Sequence, residues 1–213
     1  MSNVRPSITP VEPINVQTRN FYMRPLTVDD ASDRWASWFD QQEVRESLNL
    51  KPGRKTKADI VNYIGTFDQR NNVLIGMFDR TNDLLVGFID VEINWQIGRY
   101  LANMVVGEPD YRHRGVTLEI SPGFRTYFFE TIGLKIMTAS CLSTNRPIER
   151  YLNNTGWTLN QVLKNHARSS DGAPVDLHLW SITREAWADW KRKNPDMLHK
   201  MENGELYESS RSK

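Results

Sequence analysis

"YLANMVVGEPDYRHRGVTLEISPGFRTYFFETIGLKIMTASCL", residues 100–142, decides the fold. Two β-rich runs, "YLANMVVGE" and "KIMTASCL", flank "VTLEISPGFRTYFFETIGL", whose apolar residues recur at helical spacing and which stops at Gly133-Leu134. Strand, helix and strand in one short span make a β-α-β crossover that returns the second strand parallel to the first. The helix then starts at the carboxyl end of its strand, where mixed sheets bind ligands. That point carries "DYRHRGVTLE", with Arg112, His113 and Arg114 directly before Gly115. Two readings stand: an anion held on the unpartnered amides of the helix start, or a solvated basic turn.

Working outward, "NVLIGMFD", "LLVGFIDVEI" and "YLANMVVGE" read as three antiparallel strands, a meander broken by "RTND" and "NWQIGR". Upstream, "FYMRPLT" is a strand. "VDDASDRWASWFDQQEVRESL" suits two short helices through Trp35, Trp38, Phe39 and Leu48. "TKADIVNYIGTF" opens on a capping-box pair, Thr56 and Asp59, with Ile60, Tyr63, Ile64 and Phe67 along one helical face. Downstream, "RPIERYLNNTGW" is a short helix, "WTLNQVLKNHA" and "PVDLHLWSIT" form a hairpin across "SSDG", and "REAWADWKRK" is a closing helix. Pro122 removes one donor inside the crossover helix and should kink its third turn. The expected fold is α+β: a mixed, mostly antiparallel sheet with a central β-α-β crossover and flanking helices. Three prolines and polar filler make residues 1–20 an expected flexible arm, residues 21–194 the domain, and residues 195–213 an expected loose polar tail.

The 213 residues, 39% hydrophobic and 25% charged, suit one globular core. A formal charge of +1 gives no global pull toward nucleic acid or membrane, so any attraction for anions must be local. The single cysteine, Cys141, sits among apolar or small neighbours and reads as a buried structural thiol. His113, His166, His178 and His199 lack metal-ligand spacing, and no metal is expected. With neither a long apolar run nor a signal-peptide pattern, a cytoplasmic protein is expected.

In this element order, residues 21–190 resemble the GNAT-superfamily N-acyltransferases, most closely the branch of ribosomal-protein-alanine, spermidine and amino-sugar acetyltransferases. In "RHRGVT", Arg112, Gly115 and Thr117 take the places of the motif Q/R-x-x-G-x-G/A, with Thr117 departing at the last. Asn145 follows Gly115 by thirty residues, as in the branch, and "DGAPVDLHLWSITREAW" resembles its closing hairpin and helix, with Trp180 in a tyrosine place. The resemblance implies the GNAT fold and acetyl-coenzyme A as co-substrate. It implies that Arg112, His113, Arg114, Gly115, Val116 and Thr117 form the turn holding the pyrophosphate. Glycine suits that turn because amides converge on phosphate only where no Cβ intervenes. It further implies that backbone groups of Met104, Val105 and Val106 bond the pantetheine arm between splayed strands, and that Asn145 binds pantetheine or an ordered water, a role compatible with capping a helix.

An amine attacks only as the free base, and the branch's usual glutamate falls on Asn103, which cannot take a proton. Glu92, with Asp90 and Asn94 on the same strand face, is the substitute base, or else part of a solvated face. For the acid that reprotonates the thiolate, the family's tyrosine place holds Leu152, leaving Tyr151 one residue early. Trp38 and Arg45 either line the acceptor pocket or are ordinary helix packing. The resulting expectation is an N-acetyltransferase working by direct attack of a primary amine, a small molecule or a peptide, acting as monomer or homodimer. The acceptor favoured is a peptide α-amine or an amino sugar. The alternative is a catalytically weak acyl-coenzyme-A-binding regulatory module.

Overall fold

The computed structural model describes residues 12–47, 53–169 and 172–207. Its eight strands form one sheet in the order β1-β2-β3-β4-β5-β6-β8-β7. They are β1 (Val16–Gln17), β2 (Phe21–Pro25), β3 (Asn72–Asp79), β4 (Leu85–Asn94), β5 (Arg99–Val106), β6 (Ile136–Leu142), β7 (Thr158–Arg168) and β8 (Pro174–Thr183). All neighbours run antiparallel except β5 and β6, which the crossover makes parallel. The expected architecture is therefore what the chain adopts. Leu48 and the hairpin residues 170 and 171 lie outside the described residues.

Helices α1 (Asp33–Trp38), α2 (Gln42–Ser47) and α3 (Lys57–Gly65) precede the meander. Ser32 caps α1, and Thr56 with Asp59 closes the expected box at α3. Trp35, Trp38, Ile60 and Ile64 bury against Leu74, Phe88 and Val105, covering one face of the sheet. The other face meets α4 (Val116–Thr126) through Val116, Ile120 and Phe124, packed with Ile75, Ile89, Val91 and Tyr100. Strands β3 and β4 are covered on both faces, which is why their apolar residues run almost without interruption. Helix α4 runs through Pro122 before a π-helical turn at Tyr127–Thr131. The Leu118 carbonyl that the missing proline N–H leaves open accepts the Ser121 hydroxyl at 3.4 Å. Helices α5 (Arg146–Asn154) and α6 (Arg184–Lys193) complete the expected set.

Both ends differ from expectation. Residues 12–20 are fixed rather than loose: Ile14 is buried, β1 pairs with β2, and the Glu12 carbonyl accepts the Tyr127 hydroxyl at 2.5 Å. Residues 1–11 lie outside the described residues. The polar tail forms an additional helix, α7 (Pro195–Glu202), which packs on α4 and buries Met201 and Tyr207. Phe21 and Tyr207 meet edge to face at 5.2 Å, so the two ends of the chain share one core. Residues 208–213 are outside the described residues.

Candidate active site

Strands β5 and β6 pair only from Arg99↔Ile136 to Leu101↔Thr138. Beyond that point β5 continues to Val106 on β4, while β6 continues to Leu142 on β8, so the sheet opens between them. The Thr138 hydroxyl donates to the Tyr100 carbonyl at 3.3 Å, which puts that carbonyl on the β6 side. Backbone groups alternate sides along a strand, so past the Ala102 N–H, which closes the last bridge on Thr138, the Ala102 carbonyl and both backbone groups of Met104 turn into the opening, and the Val106 carbonyl at its end accepts Arg112 Nε. No β6 residue pairs with Ala102 or Met104.

At the carboxyl end of β5, Gly115 adopts φ +83° and caps α4 without a side-chain bond, while the first helical bond runs from the Glu119 N–H to the Gly115 carbonyl. The amides of Val116, Thr117 and Leu118 thus head the helix with no intrahelical acceptor. A Cβ at Gly115 would stand 3.2 Å from the Tyr207 Cα and 3.3 Å from the Leu206 carbonyl, so glycine also admits the C-terminal segment. His113 is exposed and left-handed at φ +56°. Arg114 makes no hydrogen bond or ion pair among the described residues and is the basic side chain of this turn available to an anion.

Arg112 is placed differently. Its Nε donates to the Val106 carbonyl at 3.1 Å and its Nη2 to the Gly107 carbonyl at 2.6 Å, while the guanidinium also binds Gln41 and, at 2.5 Å, the Glu43 carboxylate. It ties the α1–α2 junction to the end of β5, in an open depression lined by Gln41, Gln42, Glu43, Pro109 and Arg112. Asn145 caps α5, accepting the Ile148 N–H at 3.4 Å. The acid candidate Tyr151 has its hydroxyl 2.5 Å from Nη2 of Arg125, a cation only 1% exposed that also donates to the Thr155 carbonyl and stacks on Trp187. Leu152 is core. Trp38, 1% exposed, packs in the helix-side core, and Arg45 donates to the Asp40 carbonyl at 2.5 Å. Cys141 is buried, and that burial raises its thiol pKa, in keeping with a structural role.

Asp90, Glu92 and Asn103 share one face of β4 and β5. Glu92 is exposed and stands opposite Leu101. Asp90 stands opposite Asn103, whose Nδ2 donates to its carboxylate at 2.7 Å. Burial raises the Asp90 pKa, against the opposing bond from Asn103. The proximity of Asp90 to Asn103 depends on strand register, which alternation within one strand does not reveal. A second buried carboxylate, Glu119, was invisible for a similar reason: its partners Thr18 and Asn20 lie about a hundred residues away. Among the described residues no cluster of three or more His, Cys, Asp or Glu could hold a metal, and no helix is long and apolar enough to cross a membrane.

A mostly antiparallel sheet opened at its one parallel pair, with a helix start that no side chain caps beside the opening, defines the class: the mixed α+β fold of the acetyltransferases. The family described as "Acetyltransferase (GNAT) domain" matches residues 20–158, and the chain belongs to it: it is an N-acetyltransferase, moving an acetyl group from acetyl-coenzyme A to an amine. Similar solved structures include spermidine N-acetyltransferase from Vibrio cholerae in complex with coenzyme A and spermine, at TM-score 0.71 and 12% identity over 79% of this chain and 98% of that one. Ribosomal-protein-S5-alanine acetyltransferase from Vibrio fischeri aligns at TM-score 0.68 and 12% identity, covering 82% and 98%. A GCN5-related N-acetyltransferase from Brucella melitensis aligns at 0.67 and 16%, covering 85% and 83%. No curated protein matches the sequence.

Proposed function

We propose that this chain acetylates the α-amine of a peptide or the amine of an amino sugar, by direct attack on acetyl-coenzyme A, within the branch of ribosomal-protein-alanine, spermidine and amino-sugar acetyltransferases. The observation that carries the proposal is the opening of β5 from β6 beyond Leu101↔Thr138, with the uncapped start of α4 beside it. Pantetheine extends along Ala102 to Val106, the pyrophosphate rests on the amides of Val116 and Thr117 with Arg114 beside it, and Asn145 borders the arm. Glu92 faces the acceptor and attracts its ammonium. An α-amine with pKa about 7.7 to 8.0 is roughly a tenth free base at pH 7, whereas a lysine-like amine near 10.4 is neutral in about one molecule in a few thousand. Either amine must lose a proton before it attacks, and the former gives it up more readily.

Purified protein with acetyl-coenzyme A and a panel of amines, followed by release of free thiol, tests this reading. Peptide α-amines or amino sugars should give the highest kcat/KM. Faster turnover of spermidine or a lysine ε-amine overturns the acceptor. Tight binding of acetyl-coenzyme A without turnover of any amine overturns the catalytic reading in favour of a binding module.

A further inference from the structure

Two carboxylates share the acceptor face, and they are not equivalent. Glu92 stands in solvent, while Asp90, two residues earlier on β4, is half-buried in a built setting. Asn103 holds it from β5 at 2.7 Å, Tyr63 approaches from α3 and packs edge to face on Phe88, and the next strand contributes the buried apolar Leu74. With its Nδ2 given to Asp90, the Asn103 amide has its oxygen as the remaining acceptor, to which no described residue donates a hydrogen bond.

We propose that Asp90 is the group that takes the acceptor's proton, with Asn103 orienting the amine between Asp90 and the thioester. The inference rests on the acetyl transfer proposed above. Adjacent strands lie about 4.8 Å apart. An amine above Asn103 therefore sits one strand spacing from Asp90 on β4 and one from a thioester in the opening beyond β5, within reach of the carboxylate through one water. Asp90 accepts a proton from the ammonium, and the freed nitrogen lone pair attacks the thioester carbonyl to form the C–N bond. Collapse of the tetrahedral adduct breaks the C–S bond, and the departing thiolate takes the second nitrogen proton, leaving amide and free coenzyme A. Asp90 returns its proton to water. Burial makes this carboxylate a stronger base than an ordinary aspartate, and the negative charge of Glu92 acts in the same direction. Glu92 is the outer charge that draws the ammonium in.

The test compares Asp90→Asn, Asp90→Glu and Glu92→Gln in kcat/KM against pH, with acetyl-coenzyme A affinity measured separately by calorimetry. A positioned base contributes about a hundredfold or more. Asp90→Asn should lose that factor at pH 7 with its cofactor affinity intact, and should recover toward wild type as pH approaches the acceptor's own pKa. Asp90→Glu, which keeps a carboxylate one methylene away, should retain part of the activity, and Glu92→Gln should lose less than Asp90→Asn. Wild-type turnover matched by Asp90→Asn, a larger loss in Glu92→Gln, or a loss in Asp90→Asn that is equal at every pH overturns Asp90 as base while leaving acetyl transfer standing. A wild-type protein that binds acetyl-coenzyme A but turns over no amine overturns both.

Discussion

Replacing Glu119 by glutamine removes one negative charge from a site 1% exposed to solvent. Its Oε1 accepts the Asn20 backbone N–H at 2.7 Å and the Thr18 hydroxyl at 2.5 Å, and its Oε2 accepts the Asn20 side-chain amide at 2.8 Å. A Cβ on Gly204 would stand 2.5 Å from Oε2, so the C-terminal segment closes over the same carboxylate. Every neighbour of these oxygens donates, and a glutamine must present an NH₂ group to one side. In the most favourable arrangement the Asn20 amide flips to accept it, and the Oε1 bonds lose only their charge assistance. A hydrogen bond to a charged group is worth about 1.5–3 kcal/mol and a neutral one about 0.5–1.5, so two weakened bonds cost about 2 kcal/mol. For a chain of this size each kcal/mol moves Tm by about 2–4 °C, giving a fall of about 4–8 °C. Glu119→Ala, which leaves the Asn20 backbone and side-chain N–H groups without their acceptor while the Thr18 hydroxyl keeps the Phe21 carbonyl, should fall further. Thermal unfolding followed by circular dichroism measures both. A Tm change under about 1 °C for Glu119→Gln would refute the reasoning, since it would mean that this carboxylate does not fasten the N-terminal segment to α4.

Three other outcomes follow from the site. Arg114→Ala should weaken coenzyme A binding about tenfold in calorimetry, the worth of one charge-assisted bond, whereas Arg112→Ala should lower Tm through the loss of its contacts to Glu43, Gln41 and the end of β5. Gly115→Val should weaken both stability and cofactor binding, because a branched residue at φ +83° costs about 1–2 kcal/mol before its Cβ meets the Leu206 and Tyr207 backbone. Asp90→Asn should raise Tm at neutral pH. The folded-state pKa of Asp90 lies above its unfolded value, so wild-type stability from this group is full below the unfolded pKa and falls as pH rises through the folded one; the difference between variant and wild type should vanish at acid pH.

Short-range signals carried most of the architecture. The meander was legible because β3, β4 and β5 are β-rich runs separated by polar turns, and the crossover because Gly115 and Gly133 bracket a helical period. What escaped depended on partners distant in sequence. The tail from Pro195 shows few apolar residues among charges, and only its contact with α4 and Phe21 makes Met201 and Tyr207 core. The motif placed Arg112 at the cofactor turn, yet Glu43, 69 residues earlier, draws its guanidinium to the α1–α2 junction. Tyr151 is an acid candidate in the sequence, where nothing shows that Arg125, on another helix, is its partner. For Trp38 the sequence leaves pocket lining and helix packing open, and only the fold shows its ring where a Cβ on Gly107 would be, at 2.1 Å, a contact between α1 and the end of β5.

The central claim is that acetyl-coenzyme A lies between β5 and β6 with its pyrophosphate on the start of α4. Residue-resolved amide hydrogen exchange, with and without acetyl-coenzyme A, tests it directly. Bound cofactor should slow exchange at Met104, whose backbone faces the opening, and at Val116 and Thr117, whose amides lack an intrahelical acceptor, while Val73 and Leu74 in the doubly covered strand β3 stay unchanged. Saturating acetyl-coenzyme A that leaves exchange at Met104, Val116 and Thr117 as it was would contradict the account.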